Sequence, residues 1–258
     1  MRRGPDTLKA QHTCRSSGNS AMATLTTLHA VTAPLKRLLP SWLWLPLRAI
    51  GTAIFTPIQF SLGTGHLRSS LTMSSVSRSG KPIPWYTYPC IDFLATRSMA
   101  GKHVLEFGTG NSTLWWADRA ERVLGFESDP AWRDRLLGYG LRNVTIRLVP
   151  EDQKNGIEIV RRAIAENGVH FDVVIIDGLW RRDLIDVAIE VVRKTGIIIC
   201  DNAERFGFYE GFAGRGFSRV DFFGNAPGVL LPHCTSIFFQ EDGWVFDEKE
   251  RVPIARPT

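Results

Sequence analysis

Short, nearly continuous apolar runs recur from residue 102 onward: KHVLEF (102–107), ERVLGFE (121–127), VTIRLV (144–149), FDVVIID (171–177) and TGIIIC (195–200). Between them lie stretches with helical spacing of apolar positions. These run from about Ser112 to Arg119, from Pro130 onward, from about Asn155 to Glu166, from Asp183 to Lys194, and over a short piece near Tyr209. A further helix is predicted over Pro89–Ser98. Strands apolar on both faces that alternate with helices predict a parallel sheet covered on both sides. Two last runs, FSRVDFFG (217–224) and CTSIFFQ (234–240), are joined by a short link that carries Gly224, Pro227, Gly228 and Pro232. That link has no room for a crossover helix, so the pair predicts an antiparallel hairpin at the edge of the sheet.

The chain before residue 81 is patterned differently. Residues 1–33 are rich in Ser, Thr and Ala without a sustained apolar period, and read as a disordered leader, a transit-like segment or a mis-assigned start with Met22 as the real one. Residues 34–80 form an arm whose part 35–62 is long and apolar. It is headed by Lys36 and Arg37, carries Trp42 and Trp44, and holds Arg48 at its centre and Pro40, Pro46 and Pro57 along it. A central Arg and three prolines argue against a transmembrane helix. Two readings stand: a segment lying on a membrane surface, or a cover folded over the domain.

The strongest chemical signal is Val104-Leu-Glu-Phe-Gly-Thr-Gly-Asn-Ser-Thr113, where a buried strand turns on Gly108 and Gly110 into a helix. Glycines there let the backbone approach a ligand at the place where open α/β sheets bind nucleotides. Such a turn also closes junctions that bind nothing. Glu106 precedes the turn and Thr113 stands where a dinucleotide fold has its third glycine, which favours a sulfonium cofactor over a pyrophosphate. Glu106, Gly108, Thr109, Gly110 and Ser112 are therefore candidate cofactor residues. Glu127, ending the second strand, suits the two hydroxyls of a ribose. Asp129 reads as a helix cap. Asp152, with Glu151, reads either as a contact to the adenine edge or as a solvated loop. Trp85 and Thr87, in the aromatic segment before the first helix, read as pocket walls or as residues that pin the arm.

This order of features resembles the class I S-adenosylmethionine-dependent methyltransferases: E-F-G-T-G, an acid ending strand two, D-V-V-I-I-D-G ending strand four, and a terminal hairpin. The resemblance spans roughly residues 85–240. It implies a doubly wound α/β fold, a mostly parallel seven-stranded sheet in order 3-2-1-4-5-7-6, with S-adenosyl-L-methionine over the ends of strands one and two. It makes 81–258 the methyltransferase domain. Asp177, Asp201 and Asn202 further resemble the metal-binding D…DN set of catechol-type O-methyltransferases, which implies Mg²⁺. The segment Gly178–Arg182 departs from that pattern and offers no lysine base. Without metal, Asp177 is the candidate to position or deprotonate a hydroxyl and to face the cofactor, with Arg181 or Arg182 binding an anionic group. The acceptor class implied is a small-molecule, lipid or glycan hydroxyl. The alternatives are a catalytically degenerate cofactor-binding scaffold at a membrane and a nicotinamide-dependent oxidoreductase.

Charge and cysteines narrow the picture further. The net charge is +5, yet ten Lys/Arg precede Asp92 against one acid, Asp6, so the basic character belongs to the arm. A slightly acidic domain with no N-P-P-Y-type tetrapeptide excludes nucleic acid as the expected acceptor. Cys14, Cys90, Cys200 and Cys234 form no C-x-x-C pair, which points to a reducing, cytoplasmic setting, with peripheral membrane contact through residues 35–62.

Overall fold

The computed structural model describes residue 36 and residues 38–167, 170–241 and 243–252. The leader expected over residues 1–33 lies outside them. The chain divides into two units, Met1–Thr64 with Pro253–Thr258, and Gly65–Val252.

In the first unit the apolar arm forms one helix, α1, over Ser41–Thr64. Pro46 and Pro57 lie inside it, Arg48 is its one charge, and by itself it buries none of its residues. No helix among the described residues is long and apolar enough to cross a membrane.

The second unit opens with α2 (His66–Thr72) and α3 (Tyr88–Ala95). The doubly wound part then runs β1 (His103–Phe107), α4 (Asn111–Ala117), β2 (Arg122–Glu127), α5 (Pro130–Leu137), β3 (Val144–Leu148), α6 (Gln153–Asn167), β4 (Phe171–Ile176), α7 (Leu184–Val191), β5 (Val192–Asp201) and α8 (Phe208–Phe212). The hairpin of β6 (Ser218–Gly224) and β7 (His233–Phe239) closes the sheet. The sheet order is β3-β2-β1-β4-β5-β7-β6, with β5–β7 and β6–β7 antiparallel and the other pairings parallel, as the resemblance implies.

The elements follow from their residues. Burying Leu105, Val123, Leu124, Val173, Val174, Ile197 and Ile198 at 1 % exposure or less removes apolar surface from both faces of the central strands. Asp129 Oδ1 accepts the N–H groups of Ala131 and Trp132, and Pro130 follows, so α5 starts on a capped first turn. Trp115 and Trp116 pack edge-on inside the core, and Cys200 is a fully buried core residue. One boundary differs from the pattern. Helix α7 stops at Val191 and β5 begins at Val192, because a β-branched pair at the end of the helix passes more easily into extended backbone. The compact unit also starts earlier than residue 81. Ile83 N–H donates to Ser75 O at 3.1 Å, and Asn111 Nδ2 donates to Ser74 Oγ and to Ser75 O, both at 2.8 Å, which ties the 65–80 segment to the glycine turn.

Candidate functional site

Parallel strands carry their functional residues at their C-terminal ends, and here the ends of β1, β2, β4 and β5 surround a cavity of about 620 Å³. Gly108 makes the turn after β1 possible. Its φ is +90°, and a Cβ there would lie 2.6 Å from Asp177 O and 2.7 Å from Gly178 Cα. Gly125 in β2 makes room in turn for Thr109, whose Cγ2 would sit 2.5 Å from an added Cβ. Thr109 N–H and hydroxyl donate to Glu127 Oε2 at 3.1 and 2.7 Å, while Ser128 N–H and Asp129 N–H donate to Oε1 at 2.8 and 3.1 Å. The carboxylate thus accepts four donors, one of them a hydroxyl, the donor type a ribose offers. Trp132 closes this end, its indole N–H donating to Thr109 O at 2.8 Å.

Of the residues the sequence nominated, Gly108, Thr109, Gly110, Ser112, Glu127, Asp177 and Trp85 line the cavity together. Three others do not. Glu106 is buried beneath the turn, where Oε2 accepts the Thr113 hydroxyl at 2.5 Å and Oε1 has no partner among the described residues. Burial pushes its carboxyl up to about 8. Thr87 is a buried strut: its N–H donates to Thr235 Oγ1 and its hydroxyl to Phe222 O, both at 2.9 Å. Asp152 precedes α6, where its backbone carbonyl accepts the Gly156 N–H and its carboxylate accepts from Asn155.

The expected metal set does not fit a divalent ion. Arg181 stands between two of its members, with Nη2 at 2.8 Å from Asp177 Oδ1 and Nη1 donating to Asn202 Oδ1 at 3.1 Å and to Asp201 O at 2.9 Å. Asp201 Oδ1 meanwhile accepts the Thr235 hydroxyl at 2.7 Å and lies 3.2 Å from His233 Nε2. A guanidinium already neutralises the oxygens that Mg²⁺ would need, and five donors in a fixed fork suit that task. No group of three or more His, Cys, Asp or Glu is placed to hold a metal among the described residues. The Arg181 guanidinium also packs over the Phe206 ring at 4.8 Å. Arg182 points elsewhere, toward Gly207 on a separate surface depression.

Burial and the neighbouring charge of Asp201 push Asp177 up to about 7, against the pull of Arg181. The hydrogen bond to Asp201 raises His233 above the usual imidazole range. His233 is the main site residue that sequence reasoning missed. It heads β7, and the antiparallel register that seats Thr235 opposite Asp201 also delivers the imidazole to the same carboxylate. Met73, Ser74, Ser75, Trp132 and Trp180 were missed as lining residues for the same reason: long-range packing, not local pattern, puts them there.

A glycine turn between β1 and α4, an acid ending β2, and an antiparallel β7 inserted between β5 and β6 occur together in one arrangement. The chain has the class I methyltransferase fold. Distant likenesses accompany it. An O-methyltransferase from Bacillus cereus in complex with SAH is 17% identical with a TM-score of 0.48, over 76% of this chain and 97% of that one. A methyltransferase from Geobacter sulfurreducens is 18% identical with a TM-score of 0.43, over 62% and 81%. The precorrin-6y C5,15-methyltransferase from Geobacter metallireducens is 16% identical with a TM-score of 0.41, over 59% and 88%. No protein-family model and no curated protein matches the sequence. The assignment of the methyltransferase fold therefore rests on strand order and not on these likenesses.

Proposed function

We propose that this chain is an S-adenosyl-L-methionine-dependent methyltransferase that methylates a hydroxyl on a small molecule, lipid or glycan, without a metal ion. The observation that carries the reading is that one cavity is lined both by the Gly108–Gly110 turn with Glu127, which we assign to the cofactor, and by Asp177, Arg181, Asp201 and His233, which we assign to the acceptor. The residues fit a nucleoside-bearing cofactor. Gly110 leaves space, since an added Cβ would meet nothing closer than Ser112 Oγ at 3.8 Å. Glu127 exchanges the Thr109 donors for ribose hydroxyls, and Trp132 and Phe126 line the same cavity.

When bound, the cofactor supplies an electrophilic methyl group on a sulfonium centre. The chain orients the acceptor hydroxyl and removes its proton. His233 is the proposed base. Asp201 holds Nε2–H and so fixes the tautomer that leaves Nδ1 free to take that proton. Asp177 is committed to Arg181 and serves to hold that cation in place. A nicotinamide cofactor fits less well, because Thr113 fills the place of the third glycine and Glu106 lies under the turn. The four cysteines and the arm support a cytoplasmic location with peripheral membrane contact through residues 35–62.

Calorimetric titration of the full chain tests the reading directly. S-adenosylmethionine and S-adenosylhomocysteine should bind saturably and NAD should not, with EDTA making no difference. Binding of NAD alone would sink it, and binding lost to EDTA and restored by Mg²⁺ would sink the metal-free form. His233→Gln should then lower kcat about 100-fold or more on the acceptor found by screening. Cofactor affinity should stay within about twofold, and the acid limb of the pH profile, set above the usual imidazole range, should vanish. Unchanged turnover and an unchanged profile would remove His233 from the chemistry.

A further inference from the structure

The mouth of the cavity is rimmed by apolar side chains. Met73, Trp85, Leu179 and Val229 line it, and next to them Met73, Leu230 and Leu231 are 82%, 89% and 70% exposed, with Leu71 exposed as well. Two distant stretches of chain build this rim side by side. A Cβ on Gly228 would lie 2.8 Å from Ser69 C, Gly228 N–H donates to His66 Nδ1 at 3.3 Å, and Trp85 Nε1 donates to Pro227 O at 2.7 Å. The end of α2 and the β6–β7 loop therefore present their aliphatic side chains together. An exposed cluster of this kind marks an interaction surface.

The charges around the rim name its partner. No Asp or Glu occurs between Thr7 and Ile91. In the folded unit this leaves Arg68, Arg78 and Lys81 exposed on the segment that forms one side of the rim, with Arg68 Nη1 donating to Arg78 O at 3.2 Å. None of the three takes part in an ion pair among the described residues. Exposed aliphatics beside cations on a stretch of chain without acids are complementary to an anionic lipid surface, in which apolar tips enter the interface and cations meet headgroups. A second copy of this chain is a poor match, since a two-fold contact would bring the like-charged flanks together.

We propose that this rim is a membrane-docking surface. Met73, Leu230 and Leu231 enter the interfacial layer of an anionic bilayer, Arg68, Arg78 and Lys81 face its headgroups, and the cavity opens toward the lipid. The acceptor is then an amphiphile drawn from the bilayer, a consequence that rests on the methyl-transfer reading, whereas the docking does not.

The test uses the full chain carrying Cys14→Ser and Leu231→Cys, labelled at the new thiol with an environment-sensitive NBD dye. Cys90, Cys200 and Cys234 are buried and spared. Because α1 alone could carry the chain to a vesicle, the site-specific signal is the readout, not sedimentation. With vesicles of phosphatidylcholine and phosphatidylglycerol, the label should brighten several-fold and shift to the blue, and doxyl-labelled lipid should quench it. Phosphatidylcholine alone should do far less. A label at Glu166→Cys, in the last turn of α6 at the opposite edge of the sheet, should not respond. A residue-231 label that stays water-like while the chain sediments with vesicles would overturn the proposal and leave the arm as the anchor. A label already blue-shifted without lipid and unchanged by it would overturn it too, in favour of a protein cover. Titration of the same labelled protein with S-adenosylmethionine separates the two readings. Insertion without cofactor binding removes the methyl-transfer reading and its acceptor class. Cofactor binding without insertion removes the docking.

Discussion

Gly110→Val should melt near the parent temperature yet lose measurable S-adenosylmethionine binding, while Gly108→Ala, a substitution two carbon atoms smaller, should fail by unfolding. The two glycines of one turn differ in what lies behind them. At Gly110 the φ is −177°, an extended conformation open to any residue, and an added Cβ meets nothing closer than 3.8 Å. Its side chain would extend into the space the cofactor needs. At Gly108 the φ is +90° and a Cβ would collide with the backbone of Asp177 and Gly178, which belongs to the chain leaving β4. Left-handed strain and backbone overlap together should cost about 3–5 kcal/mol, or roughly 10 °C in Tm for a domain of this size. Thermal melts and calorimetry on both variants check the contrast. A Gly110→Val protein that binds the cofactor at parent affinity would place the site elsewhere.

Glu106→Gln should stabilise the protein increasingly as pH rises from about 5 to 9. Burial holds the Glu106 carboxyl up at about 8 against an ordinary 4.5. The folded protein keeps a proton that the unfolded chain releases above about 4.5. The folded state is therefore disfavoured progressively as pH rises through that window, and the penalty levels off once the buried group also ionises near 8. The magnitude is about 2–5 kcal/mol at alkaline pH. Glutamine keeps an acceptor for the Thr113 hydroxyl and never ionises, so it escapes the penalty. Any cost of seating its amide at the unpartnered Oε1 position is independent of pH, which makes the slope of the stability difference the readout. Urea unfolding of both proteins across that range measures it, and a flat difference would mean that Glu106 is ionised and paired at neutral pH.

The same residue shows where local reading and tertiary structure part. The order of apolar runs and helical stretches was enough to predict a doubly wound sheet, because strands buried on both faces cannot hide their patterning. The brevity of the Gly224–Pro232 link was enough to predict the antiparallel hairpin. Gly108, Thr109, Gly110 and Glu127 were legible as a group for a related reason: backbone freedom and a carboxylate at a strand end leave a signature within a few residues. Glu106 carried the same local signature and yet lies under the turn, since successive residues of a strand face opposite ways and only packing decides which side meets the cavity.

The side of the cavity that holds Asp177, Arg181 and His233 was decided by tertiary structure alone. Asp177, Asp201 and Asn202 have the spacing of a metal set, and nothing local announces that Arg181 will fold back between Asp177 and Asn202 and neutralise them. His233 lies 32 residues beyond Asp201 and reaches it only because β7 pairs antiparallel with β5. Thr87 and Trp85 are two residues apart in one aromatic segment, but one became a buried strut and the other a cavity wall. The rim is of the same kind, since α2 and the β6–β7 loop meet over more than 150 residues of separation. The sequence by itself determined the sheet, its hairpin and the glycine turn, because periodicity and glycine act over short range. Which charges cancel, which side chains face the cavity and which apolar groups stay exposed depend on contacts between remote segments, and those exist only once the chain is folded.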